Sequence, residues 1–98
     1  MLTIDSNKFY QKYQTESLEI IDVREKNEFQ AGHILNSINL PLSTLPFKSS
    51  VLSKDIDYYL VCASGSRSNM AGEILSQMGY NVTNVQGGVS QWKGELVR

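Results

Sequence analysis

One cysteine, one histidine and two prolines are all that 98 residues contain of these types. A single cysteine excludes an internal disulfide and a Cys-x-x-Cys redox pair. With a single histidine beside it, an ordinary four-ligand zinc site is excluded as well. A reduced, cytoplasmic setting is the expectation that follows. An excess of either charge is also missing: nine basic and ten acidic residues leave a net charge of -1. No run of five or more basic residues occurs, so nucleic acid and anionic membrane surfaces have no electrostatic footing as partners. No stretch approaches the ~20 apolar residues that span a bilayer. Met1-Leu2-Thr3-Ile4-Asp5 lacks a basic region followed by an apolar one and does not read as a secretory signal. Repeats, low-complexity tracts and linkers are absent too. With 41% hydrophobic and 19% charged residues, the chain predicts one ordinary globular domain over residues 1–98.

Taken in order, Asp5-Ser6-Asn7 offers helix-capping residues, and Phe9, Tyr10 and Tyr13 follow at helical spacing, which predicts a first helix. Leu18–Val23 is nearly continuously apolar, as suits a strand buried on both faces. Asn27–Ala31 reads as a helical turn ended by Gly32. Ser37–Leu40 reads as a short strand stopped by Pro41, and Lys48–Lys54 as a short helix. Tyr58–Val61 is a β-favouring run. Met70, Ala71, Ile74, Leu75 and Met78 share one helical face and are expected in the core. Gly72 inside that helix is expected to mark close approach to a sheet. Gly79-Tyr80 ends the helix, Asn81–Val85 is a further strand, and Gly87-Gly88 is a turn. Val89–Trp92 is a final helical turn that drops Trp92 onto the core. Strands alternating with helices predict an α/β fold with a mostly parallel sheet, whose ligand site lies beyond the carboxyl ends of the strands.

That edge is where the cysteine falls. Cys62 directly follows the strand Tyr58–Val61, and Ala63-Ser64-Gly65-Ser66-Arg67-Ser68 leads into a helix. The thiolate is the reactive form of cysteine, and it needs stabilisation. A helix N-terminus supplies free N–H groups and a favourable dipole, and Arg67 adds a positive charge. Four small residues let the backbone curl its N–H groups inward as an anion nest. One of Ser64, Ser66 and Ser68 is expected to cap the helix. Cys62 is thus the candidate nucleophile, and Ala63, Ser64, Gly65, Ser66, Arg67 and Ser68 are the candidate substrate-binding residues.

On these residues the chain resembles the single-domain rhodaneses, a family of sulfurtransferases. Cys62-Ala63-Ser64-Gly65-Ser66-Arg67 is similar to the family's six-residue active-site loop, with cysteine first, glycine fourth and arginine last. Asp22-Val23-Arg24-Glu25, Gly32-His33-Ile34, Asn39-Leu40-Pro41 and the ending Gly87-Gly88 to Trp92 resemble further family elements in the same order. Gln91 departs from the small residue often found before the tryptophan, a change expected to affect local contacts only.

The resemblance implies a rhodanese-like α/β fold with a central five-stranded parallel sheet flanked by helices on both faces. It implies that Cys62 takes a sulfane sulfur from a small anionic donor such as thiosulfate. The resulting persulfide passes that sulfur to a thiophilic acceptor, cyanide or a thiol, with no metal or organic cofactor. Since the chain has no second thiol, the acceptor is an external thiol or protein. The backbone N–H groups of Ala63 to Ser68 are expected to cradle the donor, and Arg67 to anchor the loop or the donor anion.

Two other readings compete. A cysteine-dependent phosphatase or arsenate reductase also uses a cysteine–arginine cradle, but cysteine phosphatases usually place five residues between the two, and here there are four. A non-enzymatic interaction module on the same scaffold would be free to lose the cysteine or the arginine, and both are kept. His33 is expected to be structural, and Asp22 and Arg24 to pair with each other or with neighbours, including the active-site loop, as support. The aromatics Phe9, Tyr10, Tyr13, Phe29, Tyr58, Tyr59 and Trp92, and Met70 and Met78, are expected to pack the core.

Overall fold

A computed structural model describes residues 1–98. Five short strands lie side by side and all run parallel. They are β1 (Leu2–Asp5), β2 (Glu19–Asp22), β4 (Ser37–Asn39), β5 (Asp57–Val61) and β6 (Asn81–Gln86), in the order β1-β6-β5-β2-β4. Two-residue strands β3 (His33–Ile34) and β7 (Leu96–Val97) form a separate antiparallel pair. The helices are α1 (Ser6–Thr15), α2 (Lys26–Ala31) and α3 (Ser66–Gln77). The five-stranded parallel sheet is as expected. Strand β1 was not expected, nor was the β3–β7 pair. The predicted helix over Lys48–Lys54 reduces to one 3-10 turn, Ser49–Val51.

Continuous apolar runs in the middle strands place alternate residues into two cores, one on each face of the sheet. Ile21, Val23, Leu60, Tyr58 and Cys62 join Ala71 and Leu75 of α3 on one face. Ile20, Val61 and Val85 join Phe9 of α1 and Ile34 on the other. Trp92 leans onto this second core. Its ring meets Phe9, and Tyr10 and Tyr13 meet it edge-on with centroids 4.9 Å away. Tyr10 and Tyr13 are half-buried, so they flank this core without filling it.

The α1 start is set by Asp5, whose carboxylate accepts from the Lys8 N–H at 2.9 Å. The α3 end is a Schellman motif: the Gly79 N–H donates to Ser76 and the Tyr80 N–H to Leu75. The face that α3 buries differs from the expected one. Met70 and Met78 are 49% and 38% exposed, Ile74 is half-buried, and the buried stripe is Ser68, Ala71, Gly72 and Leu75. That stripe has i, i+3, i+4, i+7 spacing, but a serine and a glycine occupy two of its positions. Ser68 is held beneath the loop by hydrogen bonds, which fixes the rotation of the helix. Gly72 lies against Met1 and Leu60; a Cβ would meet the Met1 sulfur, whereas Leu60 of the sheet stays at ordinary contact distance, so the tight neighbour is the first residue's side chain and not the sheet.

Register brings the carboxyl ends of the middle strands level. Asp22 stands beside Val61, and Leu60 beside Asn84. The ladder continues past β2, with the Val23 N–H donating to Val61 and the Leu42 N–H to Val23. Cys62 therefore leaves the sheet at the centre of its carboxyl edge.

Candidate active site

The loop from Cys62 to Ser66 is shaped by the turn that follows β6. The carbonyls of Cys62, Ala63 and Ser64 accept from the N–H groups of Val89 at 2.9 Å, Ser90 at 2.8 Å and Gly87 at 3.1 Å. With its carbonyls held on that side, the loop is free to turn N–H groups to the other. This docking needs glycine at position 88, where a Cβ would come within 2.3 Å of the Cys62 carbonyl oxygen and 2.9 Å of that of Ala63. The Ser6 hydroxyl donates to the Gly88 carbonyl at 3.2 Å and ties α1 to the same turn.

Gly65 makes the corner, with φ at +114°, in the left-handed region that glycine adopts freely. It is also the N-cap of α3, and no serine side chain caps the helix. The expected serine cap is replaced because the chain must reverse there, and the serines have other partners or face solvent. Ser64 and Ser66 are exposed, Ala63 and Arg67 are half-buried, and Gly65 and Ser68 are buried.

The Cys62 sulfur receives the Gly65 N–H at 3.0 Å and lies 3.4 Å from the Ser68 hydroxyl. Ser68 is fully buried, and its hydroxyl also contacts the side-chain oxygen of Asn84 and the Gly65 carbonyl. One hydroxyl hydrogen thus has three acceptors within reach, and it can turn to the sulfur when charge forms there. Burial pushes the Cys62 thiol up. The Ser68 hydroxyl and the backbone N–H groups of Ser68, Gly65 and Ser64 outweigh it, and the thiol lies below its ordinary value. Cys62 itself is 1% exposed.

Arg67 ties the loop to α2, the first of the two roles expected of it. Its Nη1 and Nη2 donate to Glu28 Oε1 and Oε2 at 2.6 and 2.9 Å in a two-pronged ion pair. Hydrogen bonding from Arg67 holds the Glu28 carboxyl at about 2, against the opposing push of burial. The Glu28 hydrogen bond in turn raises Arg67, against burial, with smaller help from Cys62 and Asp22. Sequence reasoning missed Glu28. Its one local signal was its place three residues after Glu25, where a capping carboxylate is favoured. It fills that role too, accepting the Glu25 N–H at 3.0 Å.

Asp22 and Arg24 pair with each other, as expected. The Arg24 Nη2 lies 2.8 Å from Asp22 and donates to the Gly32 carbonyl at 2.7 Å. Both are buried, and their hydrogen bonds brace the strand end and the turn after α2 without reaching the loop. His33 bonds the Phe29 carbonyl through Nδ1 at 2.9 Å and stacks on the Phe29 ring, a structural placement away from the sulfur. No three His, Cys, Asp or Glu side chains gather as metal ligands.

The arrangement can therefore hold a sulfur anion at the start of α3, at the sheet's carboxyl edge. Known proteins agree with that frame. The model of the Rhodanese-like domain matches residues 5–95. A sulfurtransferase of Allochromatium vinosum is 36% identical over 91% of this chain and 85% of its own. The crystal structure of a rhodanese-like domain protein from Staphylococcus aureus superposes with a TM-score of 0.90 at 33% identity, covering 99% of this chain and 97% of that one. A rhodanese-related protein of Thermoplasma volcanium superposes at 0.89 with 37% identity, over 99% and 98% of the two chains. This chain belongs to the rhodanese-like family, and its fold and relatives are those of sulfurtransferase-type enzymes.

Proposed function

We propose that this protein transfers sulfane sulfur through a persulfide on Cys62. The observation that carries the reading is the buried sulfur itself, hydrogen-bonded by the Gly65 N–H and set against the Ser68 hydroxyl at the N-terminus of α3. Such a setting favours thiolate at neutral pH. The family membership and the sulfurtransferase name of a close relative support the same chemistry.

In the first half-reaction the Cys62 thiolate attacks the terminal sulfur of a donor X–S. The Sγ–S bond forms as the X–S bond breaks, and the electron pair leaves with X, as sulfite from thiosulfate or as a thiolate from a persulfide. The N–H groups of Ser64, Gly65 and Ser68 stabilise the sulfur's charge throughout. In the second half-reaction an acceptor thiolate or cyanide attacks the outer sulfur, and Cys62 returns as thiolate. Splitting the transfer in two predicts ping-pong kinetics. Ser64 and Ser66 are exposed and open to an arriving donor, whereas Ser68 is buried against the sulfur. The chain supplies no second thiol, so the acceptor is a small thiol or a partner protein. The need for a reduced thiol fits a reducing compartment such as the cytoplasm.

The test is intact mass without reductant. Reduced protein is incubated separately with thiosulfate and with a small-thiol persulfide, then desalted, with Cys62→Ser alongside. A gain of one sulfur atom in wild type alone, discharged by added thiol or cyanide, is the expected result. No gain from either donor, with the thiol shown reactive to an alkylating agent, overturns the reading.

A further inference from the structure

Around the sulfur stand four charges that cancel in pairs. Asp22 and Arg24 form one pair within the protein. Glu28 and Arg67 form the other beside the loop. The pairs also sense each other: Arg24 helps to keep Glu28 ionised, and Asp22 helps to keep Arg67 charged. Glu28 is not free to swing away, because its Oε1 also receives the Glu25 N–H at the start of α2. Glu25 is itself held, accepting the Ser43 hydroxyl at 2.8 Å. Both outer nitrogens of Arg67 donate to Glu28, each through one of its two N–H groups. Arg67 is the only charged side chain in the loop, so a donor arriving there meets dipoles and hydrogen bonds but no uncompensated cation.

We propose that Glu28 is a positioning residue that sets donor choice. By holding both outer nitrogens of Arg67 it cancels the loop's one cation, and it directs the site toward persulfide donors over the thiosulfate dianion. The proposal rests on the sulfur-transfer reading above and names its donor class. In the favoured step the Cys62 thiolate attacks the outer sulfur of R–S–SH. The Sγ–S bond forms, the donor's S–S bond breaks, and R–S⁻ leaves with the electron pair. The product is Cys62–S–SH, and one negative charge is present before and after. Thiosulfate would instead bring two negative charges up to a thiolate. At a partly solvated site, one uncompensated unit charge at such range shifts binding by about fivefold to tenfold.

The experiment measures the rate of Cys62 loading with thiosulfate and with the persulfide of 2-mercaptoethanol, whose R group carries no charge, in wild type, Glu28→Gln and Glu28→Asp. Wild type is expected to favour the persulfide in kcat/KM. Glu28→Gln is expected to raise the thiosulfate-to-persulfide ratio about fivefold to tenfold, mainly through a lower KM for thiosulfate. Glu28→Asp, which keeps the charge, is expected to stay near the wild-type ratio. An unchanged ratio in Glu28→Gln, or equal losses with both donors, overturns the proposal and leaves Glu28 a merely structural residue. A wild-type preference for thiosulfate overturns it as well. A second measurement needs no variant. With Arg67 paired, the wild-type KM for thiosulfate should hold steady or fall as added salt screens the repulsion from the thiolate, and a steep rise would reveal a free cation and sink the idea. Loading of wild type by neither donor would strike at the sulfur-transfer reading itself, so the two failures are told apart.

Discussion

Ser68→Ala isolates what makes Cys62 reactive. The hydroxyl lies 3.4 Å from the sulfur and is the foremost of the groups that pull the thiol down against burial. Removing it leaves burial less opposed, so the thiol must rise. A hydrogen bond to a charged group contributes ~1.5–3 kcal/mol, and each ~1.4 kcal/mol is a factor of ten. The acid dissociation constant of Cys62 should therefore fall by about tenfold to a hundredfold, and the thiolate share at neutral pH with it. The assay is the second-order rate of Cys62 alkylation by iodoacetamide between about pH 5 and 10, followed by intact mass. The inflection should move to higher pH, while the plateau at high pH stays near that of wild type. The same deletion leaves the buried side-chain oxygen of Asn84 short of a donor. That costs about 1–3 kcal/mol of stability, and each kcal/mol lowers Tm by roughly 4–8 °C in a domain of this size. Arg67→Gln is the contrast. It removes a charge that Glu28 already cancels, so its alkylation profile should move less. A folded Ser68→Ala protein with the wild-type profile, or a larger shift from Arg67→Gln, would refute the assignment of thiolate stabilisation to the hydroxyl and N–H groups.

The Glu28 carboxyl sits at about 2 in the fold against 4.5 ordinarily. A depressed folded value means that its contribution to stability is present above about pH 4.5 and is lost as pH falls toward 2. The pair is about one-third exposed on each side, so screening keeps the effect under ~1 kcal/mol. Urea unfolding across that window should show a shallower acid loss in Glu28→Gln, and parallel curves would contradict the linkage. Gly88→Ala is expected to be far more damaging. Its Cβ would meet two backbone carbonyl oxygens that cannot move without dragging the loop, so the cost should exceed the ~1–2 kcal/mol of the left-handed backbone alone. Thermal melting and Cys62 alkylation should both suffer, and a stable variant with a normal thiol would show that the turn is not what shapes the loop.

What the sequence revealed about the fold was whatever is decided by neighbours in the chain. The runs at Leu18–Val23 and Tyr58–Val61 are apolar nearly throughout, which only a strand covered on both faces can use. Strand β1 escaped because four residues at a sheet edge, with Leu2 73% exposed, bury too little to leave a pattern. The β3–β7 pair escaped because two-residue strands have no period to read. The face of α3 was misjudged for a different reason. Apolarity ranked Met70 and Met78 above Ser68 and Gly72. The helix is oriented instead by the polar contacts of Ser68 beneath the sulfur and by the close approach that Gly72 allows.

The site divides along the same line. Cys62, Gly65 and the start of α3 are consecutive in the chain, and strand, loop and helix suffice to locate a sulfur at a helix N-terminus. The parts that tune that sulfur come from far away. Asn84 reaches Ser68 from β6, the Gly87–Ser90 turn takes up the loop's carbonyls, and Glu28 reaches Arg67 across 39 positions. None of these has a spacing that marks it, because the sheet order β6-β5-β2 brings them together and not the chain. The consequence bears most on Arg67. Read from sequence it is a free positive charge next to a cysteine, and the natural inference is a site built for anions. In the fold, Glu28 takes both of its outer nitrogens, and the anion is stabilised by uncharged groups: three N–H groups and one hydroxyl. A cradle of dipoles stabilises charge on an atom in contact with it but attracts a distant anion weakly, because a dipole's field falls off faster than that of a charge. Such a cradle holds a persulfide well once it has formed and does little to gather a dianion from solution. Reactivity and donor recognition therefore rest on different residues, and substitutions at Ser68 and at Glu28 should separate them.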